Sequence, residues 1–202
     1  WNEITDELGS RFEISFNTYK PFACGIVIHP AIDACAQLRA AGVKADDVER
    51  IELSVHSLVL ELTGKKEPKD GLEAKFSVYH GCAAGLLFGE AGEGEFDDEL
   101  VNRADVVAIR RKVVATVYPT IDEAEVRAVA VMRDGTQKAV HVQHAIGSLQ
   151  RPLTDGDLER KFTSLAAPVL GERSLAPLMA SLWALGHAPD VRDVTALAVP
   201  AA

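Results

Sequence analysis

The chain has 202 residues, 48% hydrophobic and 25% charged, with 21 lysines and arginines against 30 acids and a formal net charge of −9. That length allows one large or two small domains. The acidic balance argues against a nucleic-acid partner, which needs a basic face, and the longest apolar runs are broken by prolines, glycines or charges, so no membrane span is expected.

Phe12, Ile14 and Phe16 alternate with Glu13 and Ser15, the pattern of a short strand. An apolar segment from Pro21 to Ala36 follows, broken by His29 and Asp33 at i and i+4. Pro30 biases His29 away from helical geometry, so a helix starts or kinks there. It is expected to end at Gly42. Ile51, Leu53 and Val55 alternate with polar residues, as in a half-buried strand. A loop spans Gly64 to Gly71, and a helix runs from about Ser77 to Phe88 before the glycines of 89–94.

Residues 97–111 read as one helix, Val113 to Tyr118 as a strand. Val126 to Met132 and Lys138 to Val142 flank Asp134-Gly135, a strong hairpin signal. Strands mixed with helices give an α+β fold, an antiparallel sheet covered by helices, over residues 1–150. From residue 151 the pattern is helical. Thr154 with Asp157 resembles a capping box. Apolar stripes follow at Leu158, Phe162, Leu165, Val169 and at Leu175, Leu178, Met179, Leu182, with a short last helix near Val191.

Lys20 stands at the mouth of the apolar segment. Its residues alone favour a solvated lysine. Held in a cleft, a fixed ammonium would stabilise negative charge without reorganising. His80 is the other candidate. With Ser77 as N-cap it occupies the first helical turn, where free N–H groups and the helix dipole favour an anion. Tyr79 lies beside it. Gly81 and Gly85 share a helical face and suit close packing. Cys24 reads as a small packing residue, and His29 as a partner of Asp33 that could orient Lys20. Lys75 and Lys161 read as structural or exposed, and Lys66 as part of a solvated loop. His141 and His144 lack a third ligand at metal spacing, so no metal is expected. Cys24, Cys35 and Cys82 form no Cys-x-x-Cys pair, which suggests a reducing compartment and a cytoplasmic location.

Tyr19-Lys20-Pro21-Phe22-Ala23-Cys24, followed by His29 and Ile32-Asp33-Ala34, resembles the entry to the second domain of the MmgE/PrpD family. Two later stretches fit in order: Glu73-Ala74-Lys75-Phe76-Ser77-Val78-Tyr79-His80, and Pro152-Leu153-Thr154 through Leu158 to Lys161-Phe162. That family includes 2-methylcitrate dehydratase, cis-aconitate decarboxylase and an iminodisuccinate epimerase. The resemblance implies proton abstraction beside a carboxylate of a small di- or tricarboxylate, without cofactor. Lys20 and His80 would be catalytic, and Tyr79, Ser77, Cys24 and His29 would bind substrate or support them.

The family's large helical first domain has no counterpart here, and the chain opens at Trp1. The expectation is therefore the C-terminal part of a longer protein, or one half of a split one. Residues 151–202 would pack on the absent helical half, in a homodimer or hetero-oligomer. The competing expectation is a non-catalytic binding or assembly module of the same fold.

Overall fold

The computed structural model describes residues 5–200. Helix α1 spans His29–Ala40, with Pro30 in its first turn, where a missing N–H costs nothing. Its chain turns at Gly42 with φ +84°, a backbone state that suits glycine. Strand β1 follows at Val48–Val55, and its buried residues include Val48, Ile51, Leu53 and Val55. A helical crossover then leads to strand β2. It comprises α2 (Ser57–Thr63), α3 (Gly71–Ala74), α4 (Val78–Phe88), α5 (Asp98–Val101) and α6 (Ala104–Arg110).

Strands β2 (Val113–Val117), β3 (Val126–Met132) and β4 (Gln137–Val142) complete the sheet, in the order β2-β1-β3-β4. The fold is α+β. The sheet is antiparallel except at one edge, where β1 and β2 run parallel with Ile51 opposite Val113. The crossover accounts for that edge, since parallel neighbours need a long connection. Strands β3 and β4 meet in the hairpin expected at Asp134-Gly135, where Gly135 has φ +84° and Asp134 Oδ1 accepts from the Thr136 N–H at 2.9 Å.

Helix α1 packs on β3, β4 and α4, and α4 also packs on α6 and β2. The approach of α1 to α4 depends on Gly85. A Cβ there would lie 2.6 Å from the Ile32 carbonyl oxygen, and one at Gly81 would lie 2.9 Å from Ile32 Cγ1. Ile28, Ile32, Leu38, Ile51, Leu53 and Leu86 are among the largest side chains sealed in this core. The core cluster is drawn from residues 22–142.

Helices α7 (Asp155–Leu170), α8 (Glu172–Trp183) and α9 (Val191–Ala196) pack chiefly in sequence, α7 on α8 and α8 on α9. The Thr154–Asp157 capping box is formed in both directions. Leu175, Leu178 and Val194 are buried, while Leu165, Val169 and Trp183 remain exposed. Among the described residues no helix is long and apolar enough to cross a membrane.

Two local expectations are corrected. Glu13–Phe16 is an exposed 3-10 turn rather than a strand, because among the described residues the alternating apolar side chains have no neighbouring strand to pair with. Residues 97–111 form two short helices. Asn102 ends the first, its Nδ2 donating to the carbonyls of Asp98 and Lys69 at 2.8 and 2.9 Å, and Arg103 is extended.

Candidate active site

Lys20 sits on a turn held from several sides. The Ala23 N–H donates to the Ala91 carbonyl, and the Gly25 N–H to the Lys75 carbonyl, both at 3.0 Å. Behind the turn Gly147, at φ +85°, comes so close that a Cβ would lie 2.5 Å from the Tyr19 carbonyl oxygen. The Lys20 backbone carbonyl accepts from Lys161 Nζ of α7 at 2.7 Å, and Lys20 Nζ donates to the Cys24 carbonyl at 3.1 Å.

Two clefts open at Lys20. The larger, about 530 Å³, is lined by Lys20, Asp33, Glu90, Glu93, Arg160 and Lys161, among others. The smaller, about 370 Å³, is lined by Tyr19, Lys20, His29, Glu123 and the loop of residues 145–150. Most charges of the larger cleft are paired. Glu93 holds Lys75 at 2.7 Å, Asp157 holds Arg160, and Asp33 holds Arg151 at 2.6 Å. Lys20 and Lys161 differ. Each donates to a carbonyl, and neither they nor the lining Glu90 make an ion pair with the described residues. A carbonyl leaves an ammonium its net charge, so the pair can still attract an anion.

The expected pairing of His29 with Asp33 is replaced by another arrangement. Asp33, buried in α1, accepts from Gln37 Nε2, the Ile146 N–H and Arg151 Nη1. His29 instead turns its ring edge-on to Phe22, with centroids 5.3 Å apart, and the Cys24 carbonyl that Lys20 also uses favours its protonated form. Its Nε2 is buried without a partner among the described residues. Burial first, and then the nearby Lys20 charge, push the His29 pKa down to about 4, so the ring is neutral at neutral pH. The Cys24 thiol is pushed up to about 12 by burial, which makes it a packing group and not a nucleophile.

His80 is fully buried and lines neither cleft. Its place in the first turn of α4 is as the sequence implies, with its N–H donating to Ser77 Oγ at 3.1 Å. Its ring Nε2 lies 2.8 Å from the Glu95 carbonyl, beside Phe96, and Nδ1 has no partner among the described residues. Burial lowers the His80 pKa, and the Glu95 carbonyl opposes that. Tyr79 is also buried and faces a different cleft. The structure therefore gathers Lys20, Cys24 and His29, and sets Ser77, Tyr79 and His80 in another wall. Sequence reading gave no site role to Arg151 and passed Lys161 over. Both lie within or next to the third stretch that carried the resemblance, but nothing local shows that they reach back to Asp33 and Lys20.

A family model for the MmgE/PrpD C-terminal domain matches residues 22–184. The chain belongs to the MmgE/PrpD family. Among curated members it is 25% identical to the cis-aconitate decarboxylase of Mus musculus over 190 residues, which is 89% of this chain and 38% of that protein. It is 27% identical to a 2-methylcitrate dehydratase of Escherichia coli strain K12 over 69% of this chain and 31% of the relative. A third, the 2-methylcitrate dehydratase of Salmonella typhimurium, is 28% identical over 51% of this chain and 21% of the relative. The chain thus spans about two fifths or less of the length of these MmgE/PrpD proteins. The match covers the lysine turn from Phe22, the sheet, and α7 with Lys161. Among the described residues of this MmgE/PrpD chain, no group of three or more His, Cys, Asp or Glu side chains converges as a metal site.

Proposed function

We propose that this chain supplies one wall of an active site that removes a proton next to a carboxylate of a small di- or tricarboxylate. The outcome would be loss of water or of CO₂, as the relatives' names state for them, with epimerisation as the alternative end of the same first step. The carrying observation is that Lys20 and Lys161 meet in one cleft with carbonyl partners and no ion pair among the described residues. Removing a proton beside a carboxylate spreads negative charge onto its oxygens. A fixed ammonium answers that charge as it develops.

In this reading Lys20 stabilises the developing charge and Lys161 holds a second carboxylate. His29 positions Lys20 through the Cys24 carbonyl. His80, without exposed surface, positions the first turn of α4 through its bond to Glu95. The proton acceptor then comes from a helical half, in the same or a separate chain. No metal or organic cofactor enters the reading, and the work would be done in the cytoplasm.

The test is turnover of 2-methylcitrate and of cis-aconitate by the full-length protein, with Lys20→Ala and Lys161→Ala beside it. Lys20→Ala should cost about a hundredfold or more in kcat with little change in Tm. Lys161→Ala should act mainly on KM. Near-normal turnover of Lys20→Ala would remove Lys20 from the site.

A second reading, a non-catalytic assembly module, is favoured by the apolar side chains left open on the last helices. Val169 is 64% exposed, Trp183 55% and Val191 59%. Tight partner binding with no turnover of any polycarboxylate would select it.

A further inference from the structure

A third cleft lies apart from Lys20, with no lining residue shared with the two described above. It measures about 300 Å³, at the lower end of the ~300–1,000 Å³ typical of small-ligand pockets. Its walls are Lys66, Glu67, Tyr79, Arg110, Arg111 and residues 113–115 of edge strand β2. Three cations thus face one acid, in a chain whose net charge is −9.

Arg110 is the unusual member. Its residue is only 3% exposed, and its Nε has no hydrogen-bond partner among the described residues. Nη1 donates to the Val101 carbonyl at 3.0 Å, while Glu67 approaches Nη2 only to 3.6 Å, beyond a good hydrogen bond. A buried guanidinium with so little compensation is costly unless an anion completes it. Lys66 has no ion pair with the described residues, and its Nζ stands 5.9 Å from the centroid of the Tyr79 ring. Glu67, with a side chain 57% exposed, holds Arg111 Nε at 3.1 Å and can swing out. Its carboxylate marks where an incoming oxyanion would sit.

We propose that this cleft is a second binding site, taking the phosphate or carboxylate group of a small organic anion between Lys66, Arg110 and Arg111. The side chains of Val113, Val114 and Ala115 on β2 and the Tyr79 ring would take the body of the ligand. Glu67 acts as the resident competitor that an anion displaces.

Inorganic phosphate and succinate, titrated separately into the full chain and followed by amide NMR shifts, test the site and separate the two chemistries. At least one probe should shift the amides of Tyr79, Arg111 and Ala115 saturably. Glu67→Gln should tighten that binding several-fold by removing the competitor. The double variant Lys66→Ala, Arg111→Ala, at exposed positions chosen to spare the fold, should weaken it at least tenfold. Lys20→Ala should leave it unchanged, which keeps the result separate from the Lys20 clefts. No saturable shift with either probe, or equal affinity in the double variant, would overturn the proposal.

Discussion

Arg151 Nη1 lies 2.6 Å from Oδ2 of Asp33, joining the loop after β4 to the middle of helix α1. The carboxylate is nearly sealed, its side chain 7% exposed, while the arginine is half open to solvent. The same Oδ2 takes the Ile146 N–H at 3.0 Å. One buried acid therefore fixes the loop that walls both clefts at Lys20. Arg151→Ala should lower stability by about 1–3 kcal/mol, because the buried carboxylate loses its charged donor. The readout is the urea midpoint at unchanged m. An unmoved midpoint would mean that water replaces the guanidinium without cost.

Gly147→Ala should damage the site more than the fold. The residue has φ +85°, where an L side chain costs of order 1–3 kcal/mol. Its Cβ would also press the Tyr19 carbonyl and the Pro21 ring, on either side of Lys20. The expected result is a modest drop in Tm together with a fall in kcat of tenfold or more. Crystallography of the variant should find the lysine turn displaced. Full activity with only a lower Tm would show that the turn absorbs the push.

His29 gives a signed pH dependence. Its folded pKa of about 4 lies below the ordinary 6.5, so between those values the unfolded chain binds a proton that the folded chain does not. The associated stability is complete above about pH 6.5 and is lost as pH falls through 4. Its size is up to about 3 kcal/mol. Carboxylates also respond in acid, so the measurement is the difference between wild type and His29→Phe. That difference should shrink steadily from pH 7 to pH 4. A difference independent of pH would place the neutral ring in water-like surroundings.

The three cysteines should be inert in the native state. Cys24, Cys35 and Cys82 are all buried and unpaired by disulfides. Burial raises the Cys24 thiol to about 12, and the Cys82 thiol is raised by its contact with Cys35 and by burial. A thiol reagent at neutral pH should label all three only at the rate of unfolding. Fast labelling of Cys24 would show that the lysine turn opens in the folded protein.

Local chemistry was the legible part of the sequence. Ser77 capping His80, the Thr154–Asp157 box and the Asp134-Gly135 hairpin each lie within four residues, and each forms. Alternation at Phe12, Ile14 and Phe16 misled, since it describes a strand only where another strand stands beside it. The i,i+4 spacing of His29 and Asp33 offered a pair that a distant arginine outcompetes. Lys20 could be found because its neighbours resemble the start of the family's second domain. Lys161 could not, because its role rests on a contact across 141 positions of chain. The parallel edge was hidden for the same reason.

Strand β1 is central, yet both its neighbours come late. Residue 51 waits for residue 113 on one side and residue 130 on the other. During synthesis from the N-terminus, its hydrogen-bonding edges stay open until residues 113–117 and 126–132 have appeared. Among these strands only the β3–β4 hairpin closes locally, so the expected order is hairpin first and β1 later. Such late, long-range closure slows folding and leaves a naked strand for other chains to meet. A helper that shields nascent strands would therefore act on residues 48–55 before any other part of the sheet.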